Sequence, residues 1–199
     1  MDNYEYIIAS LPDIEPDKGP SQETATQIID FVRDQLSEKD LAVADILTDS
    51  WDDEKLTEEL YTKALASSNR FIKEFFGFDL QVRNAKVRSL NMALGRPIDE
   101  DIFMPIEEPE PELEATLDKV YSNPDILVKE RAIDKLYWQK IEDLTIFDYF
   151  DLDAVLGFLA KLHIVQRWLV LDESTGRALF RKLTEDVQST FKGVNYTEK

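Results

Sequence analysis

The chain has 199 residues, is 43% hydrophobic, and carries 41 Asp and Glu against 23 Lys and Arg, for a formal net charge of −18 with no cysteine. That apolar content suffices for one domain or two small helical lobes and excludes a chain disordered throughout. The acidity opposes binding to nucleic-acid backbones and anionic lipid; the missing thiols exclude a disulfide framework and thiolate chemistry, and fit a cytoplasmic location.

Tyr4–Leu11 (YEYIIASL) is apolar and aromatic, a short strand or a first helical turn that packs on the core, and Pro12 ends it. The opening MDNYEYIIASLPD has no basic region and only a short apolar run, unlike a signal peptide. Three prolines make the next stretch irregular, and Ser21 then opens an amphipathic helix with Ile28, Ile29, Val32 and Leu36 on one face. Ser37-Glu38-Lys39-Asp40 reads as a capping box with Asp in place of Glu, starting a shorter helix through Leu47. The tight Leu36–Ser37 junction predicts a helix hairpin, and Trp51 is expected to anchor the following turn to the core.

Thr57–Arg96 reads as one long helix around which the chain is organised. Leu60, Ala64, Ser67, Phe71, Phe75, Phe78, Val82, Ala85 and Ala93 form one apolar stripe, and Leu65, Ile72, Phe76, Val87, Leu90 and Leu94 a second beside it. The remaining polar sector, including Arg70, Gln81, Asn84 and Arg88, is thin, so the helix needs cover on two sides. Unbroken, it spans about 60 Å, with Gly77 the point most prone to a kink and Gly95 followed by Pro97 the stop. Seven Lys/Arg against four Asp/Glu give this stretch a net charge of +3, leaving −21 for the remainder. Arg83 and Lys86 project toward the apolar side near Asp79. Either Asp79 and Arg83 form a local i,i+4 pair while Lys86 reaches solvent, or Arg83 meets a carboxylate from another segment or subunit. Arg83, Lys86 and Arg88 are the candidate partner interface.

Pro97–Leu113 has four prolines, many acids and no Lys or Arg, and reads as a linker with an apolar knot of Ile102, Phe103, Met104 and Ile106 docking on the long helix. It joins lobes at 1–96 and 114–192 if the chain is not one domain over 1–199. Helicity returns at Asp125–Leu144, with Ile126, Ile133, Leu136, Tyr137 and Ile141 on one face, and breaks at 145–148. Leu152–Leu171 is strongly apolar, but Asp153, Lys161, His163, Gln166 and Arg167 exclude a membrane span. Ala178, Leu179, Leu183, Val187 and Phe191 define a last helix that folds back on it, before a frayed tail at Tyr196–Lys199. The fold class is all-α: an elongated helical bundle around one long central helix, with antiparallel hairpins at both ends.

No catalytic constellation accompanies these helices. His163 is the single histidine and reads as a packing residue, with no Glu three positions before it for a di-metal bundle. Asp148–Asp153 (DYFDLD) lacks the Gly and terminal Glu of a calcium loop, and N-capping explains its acids. There is no phosphate-binding or nucleophile-elbow motif. No enzyme, cofactor, metal or small-molecule substrate is expected.

YEYIIASLP, FIKEFFGFDLQVRNAKVRSL and DLDAVLGFLAKLHIVQRW together resemble the central-stalk family of V-type/A-type ATPases that is called C in prokaryotes and d in eukaryotes, in particular its short bacterial relatives. Arg83-Asn84 with Arg88, and Trp168 with Asp172 and Gly176, are the most telling positions. The resemblance implies a funnel-like all-α protein that performs no chemistry and couples the rotor stalk to the membrane ring, with stalk or ring subunits as partners and a location peripheral to the membrane. The chain is much shorter than the three-lobed proteins of that family. A free-standing acidic adaptor that binds a peptide or protein is the alternative reading.

Overall fold

A computed structural model describes residues 3–16, 18–106 and 109–170. Among them are eight helices: α1 Tyr4–Ser10, α2 Gln22–Gln35, α3 Glu38–Asp49, α4 Glu58–Leu65, α5 Arg70–Leu94, α6 Pro111–Tyr121, α7 Ile126–Thr145 and α8 Leu152–Val170. The described residues form no sheet, only an isolated bridge between Glu15 and Lys18, and the chain is all-α. None of these helices is long and apolar enough to cross a membrane. The predicted last helix from Ala178 to Phe191, Asp172, Gly176 and the tail lie outside the described residues.

Local chemistry starts the helices, at Ser21, Ser37, Thr57 and Asp125 where the sequence predicts and at Asn69 where it does not. The side chains of Ser21, Ser37, Thr57, Asn69 and Asp125 each accept a first-turn backbone N–H, a cap worth about 1 kcal/mol. Ser37 also donates its hydroxyl to Asp40 at 2.7 Å, and Tyr4 adds a second donor at 2.8 Å, tying α1 to α3.

The long helix is two helices. Ala66 ends α4, and Ser67-Ser68-Asn69 separates it from α5, where the Asn69 side chain accepts from the Ile72 backbone N–H at 2.8 Å. Ser and Asn satisfy helix ends better than helix interiors, so the chain stops and restarts there. Gly77, the expected weak point, sits inside an unbroken α5 of 25 residues, about 38 Å long rather than 60 Å. Gly95 supplies the stop, with φ +67°.

Two helices organise the packing. α5 lies against α3, α4, α6, α7 and α8, and α8 lies against α1, α2, α3, α5 and α7. α2 packs on α8, and α3 on α4, α5 and α8, while Arg33 of α2 pairs with Asp45 of α3 at 2.6 Å. α7 and α8 form an antiparallel pair, with Lys161 beside Glu142 and Arg167 beside Asp134. A large apolar cluster unites Phe71, Ile72 and Phe76 of α5 with Ile141 of α7 and Leu156 and Leu159 of α8. A smaller one joins Phe78 and Val82 of α5, Leu113 and Leu117 of α6, and Ile133 of α7, and Tyr137 packs against both.

The acidic segment is shorter than predicted, because α6 begins at Pro111. A proline at the first helical positions, acids in the first turn and Lys119 in the last favour a helix there, and Leu113 and Leu117 bury its inner face. The preceding stretch docks as expected. Phe103 packs edge-on against Tyr61, with centroids 5.0 Å apart. A row of polar side chains on α5 grips the rest. Asn84 donates to the Met104 carbonyl at 2.6 Å, Asn91 to the Ile98 and Glu100 carbonyls at 3.2 and 2.5 Å, and Gln81 accepts from the Glu110 backbone N–H at 2.7 Å.

Two glycines respond oppositely to an added methyl. A Cβ on Gly157 of α8 meets Thr145 Cγ2 at 2.7 Å and Ile141 Cγ2 at 3.3 Å, whereas one on Gly77 finds only Leu65 Cδ2, at 4.0 Å. Urea denaturation should show Gly157→Val destabilised by about 1–3 kcal/mol through overpacking. Gly77→Ala should be stabilised by about 0.5–1 kcal/mol.

Candidate functional site

The most concentrated polar chemistry lies where α4, α5 and α7 meet. Asp79 is buried on the apolar side of α5. Tyr61 of α4 donates its hydroxyl to Asp79 Oδ2, Tyr137 of α7 donates to Oδ1 at 2.5 Å, and Arg83, one turn along α5, donates Nε to Oδ2 at 2.7 Å. Burial, then the Asp79 charge, raises both phenols well above their ordinary pKa, so they remain donors at any physiological pH.

Beside this cluster is a cavity of about 110 Å³, lined among others by Asp79, Arg83, Asp134, Tyr137, His163 and Arg167. Asp134 of α7, also buried, accepts from Arg167 Nη1 at 3.0 Å and from the Trp168 indole N–H, both on α8. Burial raises the Asp134 carboxyl pKa, against the pull of Arg167. His163 stacks face to face on Trp51, with centroids 4.4 Å apart and planes 5° off parallel. Trp51 thus anchors its turn to α8, and His163 packs as predicted. Burial, reinforced by Arg167, lowers its pKa to about 4.

Chemically, this arrangement holds helices together. Both cavity carboxylates are engaged by guanidinium and by hydroxyl or indole donors, and an imidazole titrating near 4 is a weak general base at neutral pH. Among the described residues no group of three or more His, Asp or Glu is placed to hold a metal ion. In the DYFDLD run, Asp151 caps α8, accepting from the Ala154 N–H at 3.0 Å, and Asp148 pairs with Arg70 at 2.6 Å.

Each of the three candidate interface cations is paired with carboxylates of this chain. Arg83 takes the local i,i+4 pair with Asp79. Lys86 stands 3.5 Å from Glu130 of α7. Arg88 belongs to the row gripping the acidic segment, with Asp99 at 2.9 Å and Glu114 at 3.0 Å. From sequence, Asp79 stands out only as the neighbour of Arg83. Its two tyrosine partners come from other helices, and the one available signal is a carboxylate on an apolar stripe.

Two surface features lie outside this cluster. A groove of about 570 Å³ runs along α7 and α8, and its two tryptophans each lie under a cation: Arg131 is 3.7 Å from the Trp168 ring centre and Lys161 4.8 Å from that of Trp138. Large apolar side chains are also exposed at the two ends of the α5–α7 pair. The helices run antiparallel, with Arg70 donating to the Leu144 carbonyl at 2.6 Å and Lys86 beside Glu130. One end therefore gathers Leu90, Met92 and Leu94 of α5 with Ile126 and Leu127 of α7, and the other presents the α7–α8 loop with Ile146, Phe147, Tyr149 and Phe150, all exposed.

The family described as "Protein of unknown function (DUF2764)" matches residues 1–59 and 107–190, and the chain belongs to it. Asp134, Tyr137 and His163 fall in the matched segments; Tyr61, Asp79 and Arg83 fall in the stretch between them. No curated protein and no solved structure matches the chain.

Asp79→Ala leaves two tyrosine hydroxyls without their acceptor and should lower unfolding stability by about 2–4 kcal/mol; Tyr137→Phe, which leaves Asp79 two donors, should cost about 1 kcal/mol. For His163 the folded pKa, about 4, lies below the unfolded value of about 6.5. The unfolded chain therefore binds more protons between these values, and stability falls as pH drops through that window. Denaturation at pH 7 and pH 5 should show the wild type losing about 2 kcal/mol more than His163→Phe.

Proposed function

We propose that this member of the DUF2764 family is a non-catalytic subunit or accessory protein of a rotary V/A-type ATPase. In this reading it is cytoplasmic, peripheral to the membrane through its complex, and assembles or couples stalk and ring components by helix–helix contacts. The observation that carries it is the placement of exposed apolar side chains at both ends of the α5–α7 pair. The 20 residues of α7 hold those ends about 30 Å apart. Exposed apolar clusters of this kind mark interaction surfaces, and two of them on one stiff pair of helices suit a connector. The α5–α7 pair then acts as the strut of an elongated bundle. The resemblance of the N-terminal segment, α5 and α8 to the central-stalk family supplies the class of partner. The acidic exterior suits basic surfaces on stalk or ring.

The groove along α7 and α8 favours a second reading, a free-standing adaptor whose two tryptophans take a peptide segment.

Affinity purification of the tagged chain from its own cells in mild detergent separates the two. Stalk and ring subunits are expected in fixed ratio with the chain, and that recovery should drop in Ile126→Ser/Leu127→Ser, whose side chains are exposed and whose melting temperature should not move. Recovery of the chain alone as a clean monomer would overturn the ATPase reading and leave the adaptor.

A further inference from the structure

The α7–α8 loop is built to hold aromatic rings out in water. From Ile146 to Asp151 the sequence sets two apolar residues before each acid, IFDYFD, and the acids are the part that is tied down. Asp148 accepts from Arg70 at 2.6 Å, and its backbone N–H donates to the Thr145 carbonyl at 3.1 Å. Asp151 caps α8 at 3.0 Å, and Asp153 accepts from the Asn69 side chain at 2.5 Å. With both ends of the loop fastened, the apolar side chains stay outside: Ile146 is 59% exposed, Phe147 84%, Tyr149 71% and Phe150 59%. A loop fastened at its acids loses less entropy on burial against a partner than an unfastened one, and aromatic anchors dominate the energy of such contacts.

The surrounding charge identifies the partner. Between residues 141 and 160 there are five acids, Glu142, Asp143, Asp148, Asp151 and Asp153, and no Lys or Arg. Arg70 and Lys161 approach, each paired to these acids. The field around the rings is therefore negative; it disfavours an anionic bilayer and a second copy of a chain with net charge −18. We infer that the 146–150 loop is a preformed aromatic plug for an apolar pocket rimmed by Lys or Arg on a protein partner. This deepens the reading of the chain as a connector and rests on it.

The test is photo-cross-linking in the native cells with p-benzoylphenylalanine in place of Phe147, followed by sequencing of the joined peptide. The expected adduct is an apolar segment of another protein flanked by Lys or Arg. Its yield should fall about tenfold when Phe150→Ser is added, the loss expected for one anchoring aromatic, with the melting temperature unchanged. An adduct to lipid, an adduct to a second copy, or a yield no higher than with the photoprobe at exposed Lys39 would overturn the plug. The two proposals fail separately. A captured segment from a protein outside the ATPase upholds the plug and removes the ATPase assignment, and stalk subunits co-purifying without an adduct at position 147 do the reverse.

Discussion

The carboxylate of Asp79 is the constraint on which the arrangement of α4, α5 and α7 depends. Burying an unpartnered carboxylate is prohibitive, so this one dictates what stands around it. Tyr61 and Tyr137 must bring hydroxyls from α4 and α7, and Arg83 must fold back along α5. An apolar contact tolerates sliding; three donors converging on two oxygens do not. The ring of Tyr137 meanwhile packs against both apolar clusters, so one residue fixes the register of α7 on α5 and joins the two cores. Asp134 plays the same part between α7 and α8, through Arg167 and Trp168. Buried acids thus pin α7 on two sides, and the polar chemistry of the interior serves geometry.

How much of this is legible in the sequence depends on range. Helix class and most helix starts are, because a cap is a local event. Ser21 and Ser37 announce α2 and α3 within four residues. The break at 66–69 is not, because Leu60, Ala64, Ser67 and Phe71 carry the apolar stripe straight across it and the signal to stop resides in Ser67-Ser68-Asn69 alone. α6 is hidden by charge: its acids merge with those of the preceding segment, while Leu113 and Leu117, which bury it, are only two residues. Asp79–Arg83 is visible as an i,i+4 pair, but Tyr61 and Tyr137 stand 18 and 58 residues away in sequence, and periodicity says nothing of such partners. The aromatics of the α7–α8 loop are masked by the acids between them, whose spacing suggests caps and calcium loops before it suggests a contact surface.

The exterior has its own logic. Acids are abundant across the chain, and among the described residues most of the large apolar groups that reach water sit at opposite ends of the same antiparallel pair. A surface otherwise so charged tolerates such patches without covering them. The interior polar groups fix how the helices meet, while the two ends of the pair leave large apolar side chains in water.

The grip of α5 on the main chain at Ile98, Glu100, Met104 and Glu110 has a consequence for how this chain can drift. Asn84, Asn91 and Gln81 read carbonyls and one amide of the main chain, at Met104, Ile98, Glu100 and Glu110. Those groups are the same whatever side chain hangs from them. Composition around those main-chain groups is therefore freer to change, constrained chiefly by the apolar knot and by the pairs of Arg88 and Arg96 with Asp99 and Asp101. The amides on α5 enjoy no such freedom: exchanging one of them removes a hold on the main chain that no side chain of the segment replaces.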